Sequence, residues 1–442
     1  MTRPRSAAVI GGGWAGCAAA ACLAAAGVDV TLFEAAAELG GRGRRVPLEL
    51  DGVTHTLDNG QHLMIGAYTA IANVLATVGV DIDRIVERRP FELSYPDGFR
   101  MRASRLPAPW HLVTALLRAR GLPWRDRWAI ARFLRSLKAA RWQVGTDREA
   151  ARWLEENGQS ERVIARVWRP LGIAALNTPL AEASAQVFAN VLRDSLGADS
   201  AASMLWLPRG DLSALLPEAV ERFVSVRGGA VRRGVRVATV GPAGVGFRLD
   251  PGLGRFDAVV YAAPPGQLGR VAAAFAPELS DALDAVGDFA YQPICTVYLK
   301  YDLEYELNVA LPRGFTALLD DAGQRNYGQW AFDRGALDRA NAGVLAVVVS
   351  ASGARDDEAL PALCDAVARQ LTRELGLPAP RAARAVVEKR ATLAARPGLQ
   401  RPQNATRVPG FVLAGDWTHS DYPSTLESAV RSGVTAAGHL LQ

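Results

Sequence analysis

Cysteine is scarce in this chain of 442 residues: Cys17, Cys22, Cys295 and Cys364 are the whole complement, and no two form a CxxC pair. That excludes a disulfide framework and a cysteine zinc site, leaves no metal ligand set to expect, and makes a reducing compartment the simpler setting. Lysine is scarcer still. Lys138, Lys300 and Lys389 are the only three among 50 basic residues, which face 45 acids. Arginine and alanine dominate instead, the usage of a GC-rich genome, so a net charge of +5 is no argument for nucleic acid. The aromatic-plus-basic signatures of RNA binding are missing, and no nucleic acid partner is expected. Also missing is any run of about 18 uncharged apolar residues, so no transmembrane helix is expected. The stretch 7–30, preceded by Arg3 and Arg5, has the outline of a signal peptide, but Gly11-Gly12-Gly13 interrupts it and Asp29 closes it. With 49% hydrophobic and 21% charged residues the composition is globular, which excludes disorder, collagen and coiled coil as the main architecture. The length suits about three domain-sized units.

What is present is concentrated near the start. Ala7-Ala8-Val9-Ile10 is a short apolar run fit for a buried parallel strand. Gly11-Gly12-Gly13-Trp14-Ala15-Gly16 follows, a GxGxxG, then an alanine-rich helix over 14–26 with Gly27 as its C′ residue. A second strand over 28–33 ends at Glu34. In this βαβ unit Gly11 permits the tight turn. Gly13 keeps a Cβ away from a pyrophosphate, and Gly16 lets helix and strand pack closely. The helix opens at Trp14 and Ala15, where free N–H groups and the positive dipole end face the phosphates. Glu34 accepts from both ribose hydroxyls and repels a 2′-phosphate.

Leu39-Gly40-Gly41-Arg42-Gly43-Arg44 comes soon after the acid, and Asp58-Asn59-Gly60-Gln61-His62 a little later. An NAD domain continues here with a third βα repeat. This chain offers instead a turn built on Gly41 and Arg42, whose guanidinium either reaches cofactor phosphates and the flavin side or remains a solvated charge.

These runs resemble the flavin amine oxidase and phytoene desaturase superfamily, in which GxGxxG, the ribose-binding Glu and a GGRxR turn form one FAD-binding run. The resemblance implies an α/β fold: a Rossmann-type FAD-binding domain interleaved with an α+β substrate domain. The expected division is 1–75, 206–290 and 396–442 for the FAD-binding parts, 76–205 for a helical substrate or membrane-docking part, and 291–395 for a substrate-domain sheet. The resemblance also implies site residues. A strand over 230–240 carries Val237, whose backbone contacts adenine. Gly60, Gln61 and His62 lie near the flavin. Gly415 and Asp416 form a turn in which Asp416 bonds ribityl hydroxyls or a pyrophosphate-linked water. The helix starting near Thr425 and Leu426 aims its N–H groups at the flavin O2. FAD should be non-covalent, since no cysteine or histidine lies between 420 and 426, His419 being a weak exception.

Further segments narrow the likeness: Trp14 inside the fingerprint, Leu57 through His62, Trp168-Arg169-Pro170-Leu171 with Asn177-Thr178-Pro179, and Gly415-Asp416-Trp417-Thr418 with Tyr422-Pro423-Ser424-Thr425. Together they are similar to the squalene-associated, FAD-dependent desaturase-like enzymes of bacterial hopanoid synthesis. That implies reductive loss of an allylic hydroxyl, hydroxysqualene giving squalene. It also implies a long-chain isoprenoid partner, an electron donor the sequence does not identify, and association with upstream squalene-pathway enzymes. The expected location is cytoplasmic, peripheral on the inner face of the cytoplasmic membrane. A leaving hydroxyl needs a proton donor. His62 and Tyr422 are candidates, with His419 and Asp421 nearby, and His62 equally suits a structural contact to the cofactor. The lysine that orients water over the flavin in many amine oxidases has no placed counterpart, since Lys300 falls on an expected strand. The rival readings are a carotenoid or phytoene desaturase, an amine oxidase, and a flavin-binding scaffold without turnover.

One segment admits two readings. Residues 103–142 interleave Arg118, Arg120, Arg125, Arg127, Arg132, Arg135, Lys138 and Arg141 with Trp and Leu. Helices of that kind either lie in a membrane interface, which makes 103–142 a candidate peripheral membrane contact, or form an ordinary amphipathic surface pair.

Overall fold

The computed structural model describes residues 3–302, 307, 310–311, 313–351 and 359–442. The chain opens with β1 (Ser6–Ile10), α1 (Trp14–Ala25) and β2 (Asp29–Glu34). The two strands pair in parallel, Val9 opposite Leu32. Gly27, at φ +80°, takes the left-handed position that ends α1. Three more strands from distant parts of the chain complete a five-stranded parallel sheet: Ala230–Arg233, β2, β1, Ala258–Tyr261 and Phe411–Leu413, in that spatial order. Both faces of this sheet are covered at its centre, which is why β1 and Ala258–Tyr261 read as near-unbroken apolar runs rather than alternating ones.

Helix α1 is buried on nearly every side because the C-terminal helix, Leu426–Leu441, lies against it. The approach is close enough that a Cβ on Gly433 would stand 2.1 Å from the Ala15 carbonyl oxygen. A run of alanines and glycines makes that contact possible, since larger side chains would hold the helices apart.

A second, antiparallel sheet runs Phe315–Ala317, Trp330–Asp333, Val344–Ser350, Tyr291–Lys300, Ala382–Leu393. Its two faces separate by strict alternation. Cys295, Val297 and Leu299, with Leu345, Val347 and Val349, pack beneath the helix Leu360–Leu375. Ile294, Val348 and Ser350 instead face an internal cavity.

The helices Trp110–Leu117, Trp124–Ala139, Ala150–Glu156, Arg169–Leu176 and Ala185–Ser195 form the third body of the molecule. Just before the fourth of these the chain makes a π-turn over Ile164–Trp168. Pro170 has no N–H to give to the Arg166 carbonyl, and the Tyr95 hydroxyl donates to that oxygen instead, at 3.3 Å.

Two expectations need correction. The region 76–205 is not only helical: Val86–Arg89, Glu92–Ser94 and Arg100–Arg102 are short strands, the first paired with Leu205–Pro208. They are brief, two of them are arginine-rich, and they hold by tertiary pairing rather than by propensity. The strand expected over 230–240 is two strands, Ala230–Arg233 and Val240–Ala243, because the chain turns at Gly234 with φ +70°.

Candidate active site

Between the three bodies lies one cavity of about 780 Å³, toward the upper end of the ~300–1,000 Å³ usual for ligand sites. One part of its lining comes from the parallel sheet: Gly11, Gly13, Trp14, Ala15, Glu34, the turn 40–43, and Gly415, Asp416, Thr425 and Leu426. Another comes from the helical body and the antiparallel sheet: Leu171, Ile173, Phe188, Leu192, Leu196 and Phe332 among others. Gly60, Gln61 and His62 line the same space.

The lining from the parallel sheet is a cradle shaped for a dinucleotide. Gly11, at φ +107°, lies against the chain after the fourth strand, where a Cβ would meet the Ala262 carbonyl oxygen at 2.6 Å. Gly16 touches Gly11 so closely that a Cβ would stand 1.9 Å from the Gly11 oxygen. Gly13 differs. Its φ of −70° suits any residue, and a Cβ there would find no protein atom nearer than Gly41 Cα at 4.0 Å. The glycine leaves open space beside the first turn of α1, whose N–H groups have no acceptor within the helix and no capping side chain. Glu34 is held by two backbone donors, the Gly12 N–H and the Ala36 N–H, each at 2.7 Å. Both carboxylate oxygens keep further lone pairs. The cradle therefore has room for phosphates, donors for them and an oriented ribose acceptor.

Trp14 earns its place in the fingerprint by structure: its indole N–H donates to the Gly43 carbonyl at 2.8 Å, tying the 40–43 turn to α1. Gly41 at φ +61° rides directly on Gly13. The Arg42 side chain lines the cavity but is not free there. It pairs with Asp416 and donates to the Ala391 carbonyl at 2.7 Å, bridging the cradle to the antiparallel sheet. Asp416, expected to be free for the cofactor, is thus already engaged by Arg42 through one oxygen. Gly415 N–H bonds Ser432 Oγ at 2.9 Å, and Thr425 caps the C-terminal helix in a reciprocal capping box with Ser428.

Other candidates fall elsewhere. Val237 follows the end of its strand and packs in an apolar cluster with Phe33 and Val240, outside the cavity lining. Tyr422 also lies outside the lining. Its hydroxyl donates to Asp194 on the helix Ala185–Ser195, and burial with that carboxylate raises its pKa. His419 and Asp421 are exposed. Lys300 donates to the Ala342 carbonyl at 2.6 Å, and no lysine or cysteine lines the cavity among the described residues.

His62 does line it. Its Nδ1 is 2.7 Å from the Gly60 carbonyl. A carbonyl only accepts, so Nδ1 carries the hydrogen and Nε2 is an acceptor in the neutral ring. Burial lowers the His62 pKa, against the Gly60 hydrogen bond and together with the nearby Arg334 charge. A neutral ring protonated on the wrong nitrogen is a poor proton donor to a leaving group.

Sequence reasoning missed the support beneath this segment. Arg334, 1% exposed, donates to Gln61 Oε1 at 2.9 Å and stands 3.9 Å from Asp58. Asp58 accepts from the Leu212 N–H at 2.8 Å, and its carbonyl accepts from the Tyr298 hydroxyl at 2.9 Å. Burial pushes the Asp58 carboxyl up to about 6, with Arg334 opposing. Asn177, left-handed at φ +44° where its helix ends, lines the cavity and donates to Thr392 Oγ1 at 2.9 Å. No signal marked Arg334, one arginine among many, whereas the Leu176-Asn177 helix end was readable as an αL cap.

Residues 14–441 match the family described as flavin containing amine oxidoreductase. The chain is 30% identical over 449 residues to hydroxysqualene dehydroxylase of Rhodopseudomonas palustris, covering 98% of this chain and 97% of that one. It is 28% identical over 454 residues to hydroxysqualene dehydroxylase of Sinorhizobium fredii, covering 98% of each. Among solved structures it is similar to an oxidoreductase from Methanosarcina mazei, with a TM-score of 0.75 at 16% identity, over 98% of this chain and 100% of that one.

Proposed function

This chain belongs to the flavin containing amine oxidoreductases and is an FAD-dependent oxidoreductase, and from that premise we propose that it converts hydroxysqualene to squalene by reductive removal of the allylic hydroxyl. The observation that carries the reading is the cavity, in which the dinucleotide cradle opens onto a wall of Leu171, Ile173, Phe188, Leu192, Leu196 and Phe332, with no lysine among the described residues that line it. A long isoprenoid needs apolar lining with few polar groups, and an amine has no use for it. The full-length likeness to two hydroxysqualene dehydroxylases supports the same substrate.

FAD held in this cradle would, in its reduced form, supply the hydride that replaces the hydroxyl. The first turn of α1 would hold the cofactor's pyrophosphate and Glu34 its ribose, while Arg42, paired with Asp416, ties the cradle to the antiparallel sheet. The apolar lining excludes water from the chain of the substrate. His62 Nε2, an acceptor with no hydrogen bond from the described residues, holds the hydrogen of the substrate hydroxyl and so orients the C–O bond. The hydroxyl leaves as water with one added proton, the hydride carries the two electrons of the reduction, and an external donor must afterwards return the flavin to its reduced form. The test is anaerobic. Holoprotein with reduced flavin is mixed with hydroxysqualene in detergent, and flavin absorbance is followed with mass analysis of the lipid. Reoxidation with one squalene per flavin is expected. Flavin that stays reduced beside unchanged lipid overturns the reading.

A further inference from the structure

Two helices of the third body turn large aromatic side chains outward. Trp110 on Trp110–Leu117 is 58% exposed, and Trp124 and Trp128 on Trp124–Ala139 are 59% and 71% exposed. Leu106 and Leu117 are exposed beside them. On the second helix the spacing is decisive. Trp124, Trp128, Arg135 and Lys138 follow at intervals of four, seven and three, which places them on one face. Ile130, Phe133 and Leu137 occupy the opposite face and are buried in the core. The tryptophans are therefore not core residues left partly uncovered; they sit on the side a surface helix normally gives to charge.

The display is also held rigidly. Arg127 donates to the carbonyls of Leu122 at 2.8 Å, Leu117 at 2.7 Å and Ala119, closing the connection between the helices. The same guanidinium lies 4.5 Å from the centre of the Trp124 ring. Within 103–142 the exposed charge is of one sign. Arg118, Arg120, Arg132, Arg135 and Lys138 form no ion pair among the described residues. The one acid in 103–142 is Asp126, which is buried and accepts from Ser160 Oγ. Indole rings beside unpaired guanidinium groups match the layered chemistry of a lipid surface, where the ring sits among headgroups and the cation meets phosphate.

We propose that the outward face of these two helices docks on an anionic phospholipid bilayer. The contact lies on the surface only, since no helix of the described residues is long and apolar enough to cross a membrane. It also adjoins the cavity wall. Trp142, just past the second helix, packs on Gly197 so tightly that a Cβ there would stand 2.1 Å from the ring, and Gly197 follows the cavity-lining Leu196. The proposal does not depend on the identity of the substrate.

Flotation of the FAD-loaded protein tests it, with vesicles of phosphatidylcholine alone or mixed with phosphatidylglycerol, at low and high salt. Co-flotation with the anionic vesicles that weakens with salt is expected. The variant W110S/W124S/W128S should lose it while keeping its flavin and helical content. A second variant, R118Q/R120Q/R135Q/K138Q, leaves the tryptophans in place. Each basic residue at an anionic leaflet is worth roughly fivefold in partition, so its binding should fall by about two orders of magnitude or more. No flotation with anionic vesicles overturns the proposal. So does flotation that survives both variants, which puts the contact elsewhere, or self-association removed by the tryptophan variant, which makes the occupant a second copy of the chain.

Discussion

Gly13 and Gly16 are three residues apart in one fingerprint, and replacing them should have opposite signatures. A side chain at Gly16 has nowhere to go, because its Cβ would stand 1.9 Å from the Gly11 oxygen. Gly16→Ala must push α1 off β1, a loss of about 3 kcal/mol or more by overpacking, and the fold and the flavin should fail together. At Gly13 the protein leaves 4.0 Å of clearance and an ordinary φ of −70°. Gly13→Val should therefore change the stability of the flavin-free protein by no more than about 0.5 kcal/mol. What it fills is the space beside the uncapped N–H groups of α1. If two hydrogen bonds to the cofactor phosphates are lost, at about 1.5–3 kcal/mol each for a charged acceptor, affinity falls by roughly two to four decades. The assay is the visible-to-ultraviolet absorbance ratio of the purified variant, with melting curves with and without added FAD. A colourless Gly13→Val that melts like flavin-free wild type and gains little from FAD is expected. A variant that purifies fully yellow would refute the reasoning, as would one that unfolds like Gly16→Ala.

Three other outcomes follow from the site. Asp58 has a folded pKa of about 6 against 3.8 for the free carboxyl. Raised in the fold, it contributes stability that is complete below the unfolded value and lost as pH climbs through the folded one. Asp58→Asn should therefore gain on wild type by about 2.5 kcal/mol between pH 4 and pH 7, measured as the difference of their denaturation curves; a constant difference sinks the assignment. Arg334→Met strands the buried Asp58 carboxylate and should cost about 3–5 kcal/mol, part of which the double variant with Asp58→Asn recovers on a melting assay. Tyr422→Phe removes a hydroxyl bonded to Asp194 outside the cavity, so it should lose about 1 kcal/mol of stability and leave turnover with saturating substrate nearly unchanged; a collapse of turnover would return Tyr422 to the chemistry.

The βαβ start was legible because each of its residues answers to a local rule: a buried strand, a glycine turn, an alanine helix, an acid at the strand end. The helix Leu360–Leu375 was legible for a similar reason, its apolar period and the Gly376 stop. The strand carrying Val237 was drawn too long because it was continued through Gly234, and the left-handed turn there was not weighed. The hairpin Arg45–Leu50 and Val53–Asp58 could have been found from Asp51-Gly52, which turns with φ of +51° and +71°. Arg42 and Asp416 could not have been paired from sequence. They are separated by most of the chain, and nothing local distinguishes a guanidinium reserved for a carboxylate from one offered to a phosphate. His62 was visible as a candidate, but its protonation state depends on a carbonyl two residues back and on Arg334 far along the chain.

The close crossing at Gly433 also has a consequence in time. The fingerprint helix leaves the ribosome early, yet the helix that covers most of its outer face is made about four hundred residues later. Until then an alanine-rich surface and half a cradle stand open. Contacts of such long separation close slowly, and domains assembled from distant segments depend on helpers that shield them meanwhile. Colour should therefore be a late event in biosynthesis. Nascent chains stalled before residue 426 should neither retain flavin nor resist protease around α1, and release of the C-terminal helix should confer both properties in a single step.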